Sequence, residues 1–197
     1  MTMEQGLSIE QLRDMVSNLR KDGLNSQQIA DELSLSQDTI SWLIADSSVN
    51  EKPQDVRIGW RTIGVRPQRI AAIGAIMADV AAEECGDLID TVVGISINGV
   101  LFANEVASQL GCEVAIHRNV DGEAGQGSLS NKYGQVAGKR VAIVDDVLST
   151  GVTMSKTIDA LREAGAEVSL CLVLVNKTVR NEIDEVPLRG IIRAAVV

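Results

Sequence analysis

Two adjacent acids, Asp145 and Asp146, stand where a sequence can do chemistry: directly after the apolar run 141–144 and just before the turn Leu148-Ser149-Thr150-Gly151-Val152-Thr153. The run reads as a strand, the acids lie at its carboxyl end, and a helix is expected to start near Thr153. In an open α/β sheet, ligands bind beyond the carboxyl ends of the strands. The turn offers hydroxyls at Ser149, Thr150 and Thr153, a glycine at 151 that lets a ligand approach the backbone, and the unpaired N–H groups of the following helix. That set suits a phosphate monoester. Asp145 and Asp146 would then face the hydroxyls of the sugar carrying it. The bland alternative is a strand-turn-helix corner with two solvated acids. Neighbouring carboxylates at a buried strand end repel each other and lose hydration, so a purely structural corner gains little from them.

A second stretch repeats the plan. In VVGISINGVLFANEVASQLG an apolar strand passes through Ser96, Ile97, Asn98 and Gly99 into a helix expected to begin near Gly99. Residues 117–138 form a polar, glycine-rich segment whose cations are Arg118 and Lys132. Long polar segments inside compact domains are usually functional or disordered.

The stretch VAIVDDVLSTGVT closely resembles the phosphoribosyl pyrophosphate (PRPP) signature of type I phosphoribosyltransferases, in its apolar lead, both acids and its Thr-Gly-x-Thr ending. The resemblance implies that Asp145 and Asp146 bind the 2′ and 3′ hydroxyls, and that Ser149, Thr150, Gly151 and Thr153 cradle the 5′-phosphate. It implies a pyrophosphate loop at Ser96, Ile97, Asn98 and Gly99, and a mobile loop over residues 117–138 that carries Arg118 and Lys132. Mg2+ is expected only as part of the PRPP complex, with no metal site of the protein's own. The chain departs from orotate-type members in lacking their lysine-rich, His-Gly mobile loop, and DVRIGWRTIGVRP replaces their base-gripping segment. Transfer moves charge onto the departing pyrophosphate, so thinning the cations weakens the case for turnover. Catalytic residues are therefore left unassigned. The string GSLSNKYGQVAGKRVAIVDDV is similar to archaeal orotate phosphoribosyltransferase-like regulators, and the likeness extends over nearly the whole chain. It implies a transcription regulator that senses PRPP or a related nucleotide. A working phosphoribosyltransferase, or a nucleotide-binding protein that recruits a protein partner, remain the alternatives.

Elements that could hold such a site are legible. Residues 68–84 read as a helix, after which the β-branched runs TVVGI, CEVAI, RVAIVDDV and VSLCLVLV alternate with helical stretches. That alternation indicates a parallel sheet with crossover helices. The expected fold is α/β, a Rossmann-like phosphoribosyltransferase domain over residues 49–197, preceded by a small all-α helix-turn-helix domain over residues 1–48.

Within the first segment, Ile9, Leu12, Val16 and Leu19, then Ile29, Ala30 and Leu33, then Ile40, Leu43 and Ile44 recur at helical spacing. Three helices are expected, capped by Ser8 (with Gln11 completing a capping box), Ser26 and Ser36, and Gly23 closes the first. In SQQIADELSLSQDTISWLI, small Ala30 sits where the helices of a helix-turn-helix cross, and Ser34 takes the turn position usually given to glycine. The third helix is expected to enter the major groove with Ser36, Gln37, Asp38, Thr39 and Ser41 outward, Trp42 beside them, and Gln37 first among base contacts. A solvated face of a packing module is the competing reading. Half-sites read in pairs imply a homodimer.

The formal net charge is −9 over 197 residues, which argues against broad nucleic-acid binding by phosphate neutralisation. Its distribution is uneven: residues 1–50 carry −5, 51–75 carry +3 and 76–197 carry −7. Arg57, Arg61, Arg66 and Arg69 in the basic stretch suit DNA phosphates, a subunit interface or an anionic ligand equally. Cys85, Cys112 and Cys171 are isolated, and His117 is the lone histidine. Neither a disulfide framework, a zinc site nor a Ser-His-Asp triad is indicated. With no signal-peptide pattern and no membrane-length apolar run, a cytoplasmic location is expected.

Overall fold

The computed structural model describes residues 7–45, 53–118, 128–130 and 132–194. The chain divides into two compact units, Met1–Gly59 and Trp60–Ala195. The expected boundary near residue 48 lies outside the described residues.

The first unit has three helices, α1 (Ile9–Lys21), α2 (Ser26–Leu33) and α3 (Gln37–Ile44). Ser8 caps α1, and its capping box with Gln11 is complete. The cap of α2 is Asn25 rather than Ser26: its side chain accepts from the Gln28 amide while Gln28 reaches back to the Asn25 amide. The reciprocal pair satisfies two orphan donors, which a serine one position later could not do with the same partner. Ser36 caps α3 through the Thr39 amide. Ser34 adopts the left-handed conformation at φ 53°. Val16, Ile29, Ala30, Leu33, Leu35, Ile40 and Leu43 form the core of this unit, whereas Ile9 and Ile44 are exposed and stand outside it.

The second unit opens with a short helix, α4 (Arg61–Gly64), and a long one, α5 (Pro67–Cys85), which starts on a proline whose missing N–H costs nothing there. Strand β1 (Thr91–Ile95), helix α6 (Ser96–Leu110) and strand β2 (Glu113–Arg118) follow, then the short β3 (Ser128–Leu129), β4 (Arg140–Leu148), α7 (Val152–Glu163), β5 (Glu167–Asn176), β6 (Glu182–Ile183) and β7 (Val186–Arg193). The sheet order is β3-β2-β1-β4-β5-β7-β6. β2, β1, β4, β5 and β7 are parallel, and the two-residue strands at the edges are antiparallel. All five residues of β1 are buried, as a strand covered on both faces requires. One face packs on α7 through Ile143, Ile158, Leu161 and Val173.

The chain reverses its winding between β1 and β4: β2 lies on one side of β1 and β5 on the far side of β4. This is the switch point, and it brings the carboxyl ends of β1 and β4 together. Of the cysteines, only Cys171 is buried; Cys85 and Cys112 are half-buried, and all three are free thiols.

Candidate functional site

Ser96 and Asp145 lie at the carboxyl edges of adjacent strands, since Gly94 of β1 pairs with Val144 of β4. The Ser96 hydroxyl donates to Asp145 Oδ1 at 3.2 Å, and Asn98 Nδ2 donates to Asp146 Oδ2 at 3.0 Å. The two stretches singled out by sequence therefore meet, joined by hydrogen bonds from neutral side chains. Residues 96–99 are not a loop, however. They form the first turn of α6, which begins at Ser96 rather than near Gly99. Ser96 has φ 58°, so the chain turns directly from strand into helix through one left-handed residue.

Gly99 allows that abrupt join. A Cβ there would stand 2.8 Å from Asp145 Oδ1 and 2.8 Å from the Val144 carbonyl. The glycine lets α6 lie against the acidic end of β4, and any side chain would displace the carboxylate.

Asp146 is buried at 7% exposure, while Asp145 is partly exposed. Burial pushes the Asp146 carboxyl above the usual carboxylate range; hydrogen bonding with Asp145, the Val147 amide, Asn98 and its own amide pulls the other way without cancelling the lift. Asp146 accordingly holds charge at a cost that donors from a ligand would relieve.

Beyond β4, Ser149 is half-buried and Thr150 exposed in the turn, and Thr153, half-buried, lies in the first turn of α7. Gly151 takes φ 88° and forms the N-cap of α7, with no side chain capping that end. α7 starts at Val152, one residue before the expected position. Among the described residues, the Val152 amide donates to Thr150 Oγ1 at 3.4 Å. α1, α2 and α3 all carry close side-chain caps. An uncapped helix start beside hydroxyls has the donors an anion needs.

Of the loop cations, Arg118 ends β2 and is exposed; the preceding His117 pairs with Ile95, so Arg118 stands at the same sheet edge as Ser96. Lys132 is exposed, and no hydrogen bond or ion pair to the acids joins it to them among the described residues. Residues 119–127 and 131 of this segment lie outside the described residues. His117 is buried at 1% exposure, its Nδ1 lies 3.2 Å from the Thr157 hydroxyl, and burial lowers its pKa. It is a core histidine beneath α7.

Among the described residues, no group of three or more His, Cys, Asp or Glu side chains is arranged to hold a metal ion. Two carboxylates remain at the sheet edge, hard oxygen donors of the type that Mg2+ accepts alongside phosphate oxygens.

In the helical unit, Gln37, Asp38 and Ser41 are exposed on α3, and Ser36 is half-buried at its start. Thr39 is buried, contrary to expectation. Its hydroxyl donates to Asp55 Oδ2 at 2.8 Å, and the same oxygen accepts from the Ser36 amide at 2.7 Å. Asp55 went unrecognised in the sequence because it lies 19 residues beyond Ser36, with no local spacing to mark it. Trp42 is half-buried with the Arg13 guanidinium 5.4 Å from its ring, a cation–π arrangement rather than a free reading surface. Gln37 donates to Gln27 on α2, so its amide is held in one orientation. Arg57, Arg61 and Arg66 are exposed, and Arg69 donates to the Thr62 carbonyl.

Comparison with known proteins places the chain in a family. Residues 59–194 match the family described as Phosphoribosyl transferase domain. Over 194 residues the chain is 37% identical to the "Transcriptional regulator GfcR" of Picrophilus torridus, covering 96% of this chain and 99% of that one. It is 38% identical over 194 residues to "Transcriptional regulator GfcR 2" of Methanosarcina barkeri, covering 94% and 96%. Among solved structures, orotate phosphoribosyltransferase from Aeropyrum pernix superposes with a TM-score of 0.57 at 23% identity, over 73% of this chain and 81% of that one. At that identity the superposition shows the fold, α/β of the type I phosphoribosyltransferase kind.

Proposed function

Since the chain belongs to the phosphoribosyl transferase domain family, and over its length to the archaeal GfcR proteins, we propose that it is a DNA-binding transcriptional regulator whose phosphoribosyltransferase-like domain binds PRPP or a related nucleotide as effector. The observation that carries the effector reading is the buried carboxyl of Asp146 beside Asp145, immediately ahead of the open turn at residues 149–153. In this reading Asp145 and Asp146 accept from the ribose 2′ and 3′ hydroxyls, and Ser149, Thr150, Gly151 and Thr153 hold the 5′-phosphate. Ser96 and Asn98 position the acids, and the first turn of α6, with Ile97 and Gly99, faces the pyrophosphate. Arg118 and Lys132 attend its charge. Mg2+ arrives with PRPP, because the acids alone offer too few ligands to retain it.

The division into residues 1–48 for DNA and 49–197 for ligand follows the same reading, with the described residues 53–59 grouped with the first unit. On DNA, α3 lies in the major groove with Gln37, Asp38 and Ser41 toward the bases and Ser36 toward the backbone. Thr39 serves there as an internal support. A homodimer reads paired half-sites, as the small footprint of a single helix-turn-helix requires. No helix among the described residues is long and apolar enough to cross a membrane, and a regulator of transcription works in the cytoplasm of an archaeal cell.

The test is selection of bound fragments from genomic DNA with and without PRPP, at a stated salt concentration, paired with calorimetry of PRPP. Enriched sequences whose recovery changes with PRPP are expected. Asp145→Asn with Asp146→Asn abolishes PRPP binding. Unchanged affinity discards the ribose assignment. Substantial pyrophosphate release on adding PRPP, Mg2+ and common nucleobases would instead establish a transferase.

A further inference from the structure

The residues of the turn 149–153 themselves offer a phosphate hydroxyls and amides but no cation, and among the described residues neither Arg118 nor Lys132 is hydrogen-bonded to it. A different segment brings one. Residues 177–181, between β5 and β6, are folded by side chains on both sides. Asn176, fully buried, accepts from the Thr178 amide and hydroxyl at 2.8 Å each and donates to the Arg180 carbonyl at 3.0 Å. Thr178 Oγ1 accepts from the Arg180 amide at 3.1 Å. Arg193 donates to the carbonyls of Val179 and Arg180 and to Asn181 Oδ1. Arg193 is thus occupied in holding the turn. Arg180 is not: its guanidinium is exposed and has no hydrogen-bond or ion-pair partner among the described residues.

Its location gives that freedom a direction. Arg180 Nη1 lies 3.5 Å from the point where a Cβ on Gly151 would stand, and Ile183 Cδ1 lies 3.2 Å from the same point. The buried Ile183 anchors the segment against Gly151, and the β6–β7 turn is tied to α7 by the Ser155 hydroxyl on Asp184 and by Arg162 on the Asp184 carbonyl. A fixed backbone therefore aims a flexible cation at the N-cap of α7. Placing a guanidinium beside the positive end of a helix is unfavourable unless an anion lies between them. Arginine's planar fork matches two oxygens of one phosphate.

We infer that Arg180 is the cation of the phosphate turn, closing over a phosphate monoester held at residues 149–153 and selecting its dianionic form. The inference rests on the effector site proposed above and adds a residue to it from outside the signature stretch.

Ribose 5-phosphate is the informative probe, because it carries the monoester without the pyrophosphate. In calorimetry on the full chain at pH 7.5, Arg180→Ala is expected to weaken ribose 5-phosphate by about 10- to 100-fold, the range for a charge-assisted hydrogen bond. Arg180→Lys recovers part of the loss. At pH 5.5, where the monoester falls largely to its monoanion, the ratio of wild-type to Arg180→Ala affinity shrinks. A role confined to bracing the loop would lower both affinities alike and leave that ratio flat. Equal affinities of wild type and Arg180→Ala for ribose 5-phosphate, or a loss confined to PRPP, overturn the assignment while leaving the effector site standing. Failure of the wild-type chain to bind either sugar phosphate overturns both. Unchanged melting temperatures of the two variants exclude misfolding as the cause.

Discussion

Asp146 combines near-complete burial with a carboxyl held above its usual range, and that combination has a stability consequence separate from binding. A raised folded-state pKa means that the native state binds the proton more tightly than the unfolded chain. The associated stability is fully present below the ordinary value of 3.8 and is lost as pH rises through the folded value. At pH 7 the apo protein therefore carries a penalty for keeping Asp146 charged. Asp146→Asn is expected to raise the melting temperature of the apo protein at pH 7, with the gain over wild type narrowing as pH falls toward 4, measured by scanning calorimetry. A lower melting temperature at pH 7 would mean that the charged form is stabilised where it stands. His117 acts in the opposite sense, since its pKa is lowered by burial and stability falls on acidification below about 6.5. Comparing variant with wild type at each pH removes that shared contribution. A buried side chain that costs stability is what the proposed effector site would contain.

At the scale of elements, the described residues of the helical unit contain a local conflict at Ser34. Ser34 closes α2 in the left-handed region at φ 53°, ψ 42°, where a Cβ crowds the following carbonyl. Glycine avoids that crowding and loses part of the gain to its larger unfolded-state entropy. Ser34→Gly is expected to stabilise the unit by roughly 0.5 kcal/mol, read from urea unfolding, with selective DNA binding unchanged. A destabilised variant would show that what Ser34 itself contacts outweighs backbone relief. The capping box at Asn25 shows why this helix begins where it does despite an unfavourable end: two side-chain hydrogen bonds fix the start while a strained residue fixes the stop. In the second unit, α6 and α7 begin without side-chain caps at the carboxyl edges of β1 and β4, and this pairing of open helix starts makes that sheet edge receptive to anions.

For the whole molecule, the proposed division of labour separates two surfaces that substitutions should affect independently. Gln37→Ala is expected to weaken selective DNA binding about 5- to 100-fold, the range for one bidentate base contact, while leaving PRPP affinity intact. The Gln37 amide is also tied to Gln27, so melting of the variant separates loss of that tie from loss of a base contact. Loss of DNA and PRPP affinity together contradicts the division.

How much of this was legible in the chain follows from how local each feature is. Three helices, their periodic core, two of three N-caps, the parallel sheet and the acid-turn-helix stretch at residues 145–153 depend on neighbours within a few positions, so composition and spacing sufficed. Asn25 was overlooked because a cap choice one residue away is decided by a reciprocal bond with Gln28. Distant pairings lay beyond reach. Only the folded chain joins Ser96 to Asp145 and Asn98 to Asp146, across 49 and 48 residues, sets Asp55 on the start of α3 and swings Arg180 to Gly151. Short-range periodicity is written in residue order, whereas the meeting of strand ends at a switch point is set by how the sheet is wound.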